Sequence, residues 1–467
     1  MFEAGVSRAA TRRLEEKRMN RRRMAALSGV IALVAAACSS GGTPAPSSGG
    51  GGGSAPAGSA PQASLGQIGG EVSIIAVWSG GNDPKSEEYA FKQVLKPFTD
   101  KTGVKINYSS TRDINAVLTN GVASGNLPDV AGLPGPGKVT ELSEQGVLKA
   151  LDGTIDVNAY TSDTPGASDL KGSDGKLYAE YFKGAAKGLI WYDPKVYKGG
   201  TPSSWDDLNT KAQSAATGNT KEWCIGLQSG AGSDGWPGTD WIEDFVLKQS
   251  GPDVYDNWVQ GKQKWTSPEI KAAWTEFGKA LSNTFGDPSS IVGTNFGDAA
   301  NPLFKDPPGC VFHHQASFMT SFFEKGTPGV KAGTDYDFFP MPDINPSFAG
   351  AITGGGDLLG MFNDTPQAKA LMQYLITPEA QQIWPKLGGA VSGSKSVPLD
   401  IYPDDIAKKS AQLLSSAKTF RFDGSDKMPV AMSDAFLKGI LDFTKDQGKL
   451  DSILSSLDNV QSSAYSS

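Results

Sequence analysis

The stretch Gly235–Asp244, GWPGTDWIED, sets two indoles around one carboxylate. A flat apolar ring can cover the C–H face of a sugar, and a carboxylate accepts hydrogen bonds from its hydroxyls. Pro237 and Gly238 hold Trp236 on a turn, and Thr239 is expected to cap a helix starting near Asp240. Trp236, Asp240 and Trp241 are therefore candidate ligand-binding residues. The same types also suit a helix start with both indoles in a core and Asp240 as a first-turn acid facing the helix dipole.

Other chemistry is thin. Gly132–Val139, GLPGPGKV, nearly matches a phosphate loop, but Val139 stands where a magnesium-ligating hydroxyl is needed. Pro134 and Pro136 also delete two backbone donors, so nucleotide binding is rejected. What remains is a rigid loop after a strand, where open parallel sheets bind ligands. His313 and His314 are adjacent, and neighbours on a strand face opposite ways, so a shared metal is not expected. His314 with Gln315 can donate to hydroxyls, although a structural role suits either ring better. There is no G-x-S-x-G elbow. Acid pairs such as Asp206–Asp207 and Glu243–Asp244 carry little glycosidase signal among 50 acidic side chains. No catalytic residue, metal or cofactor is expected. Gly354-Gly355-Gly356-Asp357 is sharper: three glycines let a backbone approach a ligand with Asp357 at the mouth, and a plain tight turn is the other reading.

The elements that must position these residues alternate. Val72–Trp78, Lys105–Ser109 and Pro128–Leu133 read as strands. A helix starting at Asn82-Asp83-Pro84 puts Phe91, Val94, Leu95 and Phe98 on one face, and Lys138–Gln145 forms another, closed by Gly146. Ser203-Ser204, Ser267-Pro268, Thr365-Pro366 and Thr377-Pro378 read as helix starts. Alternation of this kind predicts an α/β fold with a mainly parallel sheet.

The N-terminus reads as a signal peptide over residues 1–37: Arg21-Arg22-Arg23, an apolar run from Met24 to Ala37, then Cys38. Ala35-Ala36-Ala37-Cys38 resembles a bacterial lipoprotein box, so Cys38 is expected to carry lipid. Met19 is an alternative start. Ser39–Gly70 has no charge and few large apolar residues, so residues 38–70 read as a lipid-anchored flexible linker. Removing residues 1–37 takes eight basic and three acidic side chains from totals of 43 and 50, leaving a net charge of about −12. Such an acidic body argues against nucleic acid and against binding to anionic lipid. Cys224 and Cys310 remain as a pair in an exported chain, and a disulfide is expected. Closing a loop of about 85 residues, it would contribute on the order of 4 kcal/mol in the chain-entropy account.

Several stretches taken together resemble one family. They include VWSGG (77–81), YSSTRDINAVL (108–118), LPDVAGLPGPG (127–137), KLYAEYFKGAAKGLIWYDPKVY (176–197) and TPSSWDDL (201–208). EWCIGLQSG (222–230), GWPGTDWIEDFVL (235–247), DPPGCVFHHQASF (306–318), DYDFFPMP (335–342) and GGGDLLGMFND (354–364) follow in the same order. The chain resembles extracellular solute-binding lipoproteins of ABC importers, of the maltose-binding-protein type, nearest to alpha-glucoside-binding proteins. The resemblance implies a type II two-lobe α/β fold with three hinge crossings, near 184–187, 340–346 and 391–397. Lobe one would hold 71–184 and 346–391, and lobe two 188–340 and 397–467. It implies a monomeric, non-enzymatic protein on the outer face of the cell membrane. That protein would capture a carbohydrate by hinge closure and hand it to permease subunits driven by a separate ATPase. Trp78, Ser79, Arg112, Asp113, Lys183, Trp236, Asp240, Trp241, Gly355, Gly356 and Asp357 are the expected ligand contacts. A polyol-binding protein of the same fold, a lipid-anchored carbohydrate-active enzyme and a structural surface lipoprotein are the alternatives.

Overall fold

The computed structural model describes residues 66–466 apart from Ala231. The signal segment, Cys38 and the linker up to residue 65 lie outside the described residues. Gln67–Gly70 join the folded body and not the linker. The backbone N–H groups of Ile68 and Gly69 donate to Thr102 O, and that of Lys105 donates to Gly70 O. No helix among the described residues is long and apolar enough to cross a membrane.

The strands are β1 (Glu71–Ala76), β2 (Lys105–Ser110), β3 (Val130–Leu133), β4 (Ala179–Ala186) and β5 (Leu189–Tyr192). They continue with β6 (Lys221–Trp223), β7 (Cys310–Gln315), β8 (Asp337–Pro340), β9 (Ala351–Met361) and β10 (Thr419–Phe422). One sheet has the order β10-β9-β3-β1-β2 with β4 also paired to β9, and the other has the order β6-β7-β5-β8. The expected parallel pairing holds for β1 with β2 and β3. It fails for β9, which runs antiparallel to β3 and β4, and for β5, antiparallel to β7 and β8. Between β4 and β9 the chain leaves for the other sheet instead of crossing back through one helix, so the βαβ rule does not set their direction.

Each sheet has its own core. Val72, Phe91, Leu118, Leu133, Leu359 and Leu371 fill the first. Trp205, Trp223, Trp241, Phe245, Trp274 and Phe436 fill the second. The helix Glu87–Thr102 starts later than expected, because Ser86 caps it by accepting from Tyr89 N–H. Its inward face is the expected one, with Phe91, Val94, Leu95 and Phe98 buried. Ser204, Thr365 and Thr377 cap helices as their types predict.

The chain passes between sheets after β4 and returns after β8. Downstream, the helix Asp405–Ser416 packs against β4, and β10 extends the first sheet. Val430–Lys445 and Leu450–Ala464 then complete the second core. Cys224 and Cys310 form the expected disulfide, joining the end of β6 to β7 within the second half.

The candidate binding cleft

The helix Trp236–Ser250 begins at Gly235, whose φ of +105° only glycine adopts readily. No side chain caps it. Thr239 sits inside the first turn, where its hydroxyl donates to Trp236 O, so it is not the expected cap. With Trp236 opening the helix, Asp240 lies one turn on along nearly the same face, and Trp241 is rotated from Trp236 by roughly 140°. That rotation decides their fates. Trp236 is half-buried at a cleft. Trp241 is only 1% exposed, with its ring 4.3 Å from that of His314 and edge-on to Trp223. The expected second stacking face is a core residue.

The cleft is a cavity of about 670 Å³. Arg112, Asp113, Lys183, Trp236, Gly355, Gly356 and Asp357 line it as expected, brought from the first sheet's loops, the β4–β9 pair and the Trp236 helix. Trp78 and Ser79 do not line it. Val72, Ile74, Ala76 and Trp78 alternate into the core, and Trp78 ends among Phe91, Phe182 and Trp384. Its indole N–H donates to Asp357 Oδ2 at 2.9 Å, so Trp78 orients a cleft carboxylate instead of meeting ligand. Ser79 is exposed outside the cavity. Asp240 is buried behind the wall.

Two lysines organise the charge. Lys183 Nζ is 2.5 Å from Glu87 and 3.5 Å from Asp357, and lies over the rings of Trp384 and Phe318 at 5.1 and 5.7 Å. Burial alone would lower its pKa, but Glu87 and Asp357 outweigh burial and hold it above the ordinary lysine value. Burial likewise opposes ionisation of Glu87, yet Lys183 and Arg112 keep that carboxyl below its usual range. Lys187 pairs with Asp240 at 2.9 Å and with Asp423, and sits 5.5 Å over the Trp236 ring. Despite burial, these two acids hold Lys187 well above its ordinary pKa.

The acids crowd that one cation. Asp240, Glu243 and Asp423 present oxygens within 4.8 Å of one another, and Lys187 supplies the positive charge a metal would otherwise bring. Burial pushes Asp240 up to about 8, against the pull of Lys187. Burial and Asp423 also raise Asp426 well above the carboxylate range. Asp423 is held low because Lys187 overcomes its burial. Glu243 accepts the N–H groups of Gly424 and Ser425 at 2.9 and 3.0 Å, which ties the Trp236 helix to the turn after β10.

An aromatic wall completes the cleft. Trp236, Phe296, Phe318 and Phe322 touch edge to face, with centroids 5.0 Å apart for Trp236–Phe296 and for Phe296–Phe322. The three phenylalanines, Glu87, Lys187 and Asp423 were not anticipated. Lys187 was legible, since Lys183, Ala185 and Lys187 share one face of an extended strand. Asp423 carried no local signal, because only the pairing of β10 with β9 brings it there.

The triple glycine lies within strand β9, not in a tight turn. A Cβ on Gly354 would meet Phe420 at 2.4 Å, and one on Gly356 would meet Lys183 O at 2.7 Å. Those two positions make room for the chain itself, while Gly355 faces the Lys187 side chain. Lys138 of the rejected phosphate loop lines the cleft and pairs with Glu141 at 2.6 Å. The histidines are structural. His313 Nδ1–H donates to Cys224 O at 2.9 Å, and His314 Nε2–H donates to Asp244 Oδ2 at 2.7 Å. Neither ring lines the cleft.

Comparison with known proteins identifies the fold and the family. The chain is 35% identical over 399 residues to the alpha-glucosides-binding periplasmic protein AglE of Rhizobium meliloti (strain 1021), covering 82% of this chain and 85% of AglE. It is 32% identical over 381 residues to the osmoprotective compounds-binding protein GgtB of Synechocystis sp. (strain ATCC 27184 / PCC 6803 / Kazusa), covering 80% of this chain and 88% of GgtB. Its fold matches the bacterial solute receptor AcbH with a TM-score of 0.72 at 18% identity, over 85% of this chain and 99% of AcbH. The type II solute-binding fold is thus shared. Residues 82–382 match the family described as bacterial extracellular solute-binding protein, and with more than half its length so matched, the chain belongs to that family.

Proposed function

We propose that this protein is the solute-capturing component of an ABC importer for a neutral carbohydrate of the alpha-glucoside or small-oligosaccharide class. The observation that carries the reading is the pairing of the half-buried Trp236 ring with a hydrogen-bonding floor of Arg112, Lys183, Lys187, Asp357 and Asp423 in one cleft. An aromatic face with fixed donors and acceptors suits a hydroxylated ring and no strongly charged solute, because the floor's charges are already paired. AglE, named for binding alpha-glucosides, and AcbH, described as preferring b-D-galactopyranose, support a sugar. The cavity lies within the usual range of roughly 300–1,000 Å³ for small-molecule sites.

The sugar binds an open form, and the two sheet-centred halves close over it about the connections near 184–187, 340–346 and 391–397. Permease subunits, powered by a separate ATPase, receive the closed form. Nothing is chemically changed. Lipid on Cys38 holds the monomeric body at the outer face of the cell membrane. A thermal-shift panel of maltose, sucrose, trehalose, raffinose and sorbitol tests the reading. At a hundredfold excess over Kd, the matching sugar should stabilise the fold by about 2.7 kcal/mol. Stabilisation by sorbitol alone would select the polyol reading. No stabilisation by any of the five, or turnover of any sugar, would overturn the proposal.

A further inference from the structure

We propose a second ligand site, behind the β4–β9 ribbon and opposite the cleft, for a small amphiphilic acid: one aromatic ring or short hydrocarbon chain ending in a carboxylate. A cavity of about 300 Å³ lies there, walled by Tyr181 and Gly184 of β4, Gly355 of β9, Val391, Leu414 and Phe420. Side chains alternate along a strand, so Lys183 and Ala185 line the cleft while Gly184 borders the rear cavity. Gly355 borders both spaces.

Two features set the ligand's chemistry. The walls are mainly apolar, with Val391, Val397, Tyr402, Leu414 and Phe420. Lys395 stands exposed at the rim with no carboxylate partner among the described residues. The adjacent Asp163 is already engaged by the hydroxyls of Ser394 and Ser396. The volume is about twice the ~150 Å³ that holds one benzene in an engineered apolar cavity. A ring with a three-carbon chain and a carboxylate therefore fits, with its head toward Lys395.

The site's effect on sugar rests on the closure proposed above. A rigid rotation that narrows the cleft widens the space behind the ribbon. A filled rear cavity resists the reverse motion, so the acid should tighten sugar binding, and sugar should tighten acid binding by the same factor.

Isothermal titration of the purified protein with 4-phenylbutyrate, beside 4-phenylbutanol, tests this. The acid is expected to saturate one site about threefold or more tighter than the alcohol, and Lys395→Gln should erase that preference. Leu414→Trp, which fills the cavity, should abolish binding, and Ala411→Phe serves the same purpose if the first variant fails to melt cooperatively. No saturable binding at millimolar acid, unchanged binding by a folded cavity-filled variant, or displacement of the acid by sugar would overturn the site. Equal affinity for acid and alcohol would overturn the acid assignment. Acid binding without change in sugar affinity would overturn the coupling. Loss of all sugar binding with the acid still bound would refute the transport reading and leave this site standing.

Discussion

Two tryptophans five residues apart carry different duties, and the cause is angular. Trp236 meets the cleft, whereas Trp241 completes the second core. Trp236→Ala should lower sugar affinity by about 10- to 100-fold with a modest loss of stability, as removal of an aromatic binding anchor does. Trp241→Ala should instead cost about 3–5 kcal/mol of stability, read from denaturant unfolding. The reverse pattern would exchange their roles. His313 adds a pH signature. Burial holds its ring neutral, with a pKa of about 4. Between the unfolded value near 6.5 and that folded value, only the unfolded chain takes up the proton, so stability falls as pH drops. The contribution reaches the order of 3 kcal/mol near pH 4, and His313→Gln should remove it. Asp240 acts in the opposite sense: its folded pKa is raised to about 8, so its share is lost as pH rises from near 4 to 8. The two are separated by comparing each variant with the parent across pH, not by the parent's profile alone.

At the scale of the element, β9 does most of the positioning. It pairs with β3, β4 and β10, and it carries Gly355, Gly356 and Asp357 to the cleft. Its glycines are spatial requirements. A Cβ at residue 356 would also lie 3.0 Å from the Tyr181 ring. Gly356→Ala should therefore push β4 away, cost about 1–3 kcal/mol and weaken sugar binding through the displaced Lys183. An unchanged melting midpoint and affinity would show that the ribbon gives freely there. The strand was readable as a glycine-rich stretch ending in an acid. That it is a strand, and not a turn, depends on partners about 70 to 230 residues away, which local propensity does not register. The helix boundary at Gly235 was missed for a related reason. A left-handed glycine supplied the start, and Thr239, although a good capping type, falls within the first turn.

At the scale of the molecule, two cores joined by the β4–β9 ribbon predict a closing motion. Small-angle scattering with and without the sugar found in the thermal panel should show a smaller radius of gyration in the bound state. An unchanged radius with proven binding would mean a preformed closed cleft. The α/β alternation, most helix caps, the disulfide pair and the family were all legible in the sequence. Each rests on local chemistry: apolar runs, capping hydroxyls, strand periodicity, a thiol count, and motifs kept in one order. Seven of the expected cleft residues line the cavity: Arg112 and Asp113 follow β2, Trp236 opens a helix, and Lys183, Gly355, Gly356 and Asp357 lie within the paired strands β4 and β9. Only the tertiary structure decided the rest. It turned Trp78 and Trp241 inward, set β9 antiparallel, delivered Asp423 to Lys187 through β10, and built the aromatic wall from Phe296, Phe318 and Phe322. Those outcomes depend on which distant strands pair and on which way a helix is rotated, and long-range packing fixes both.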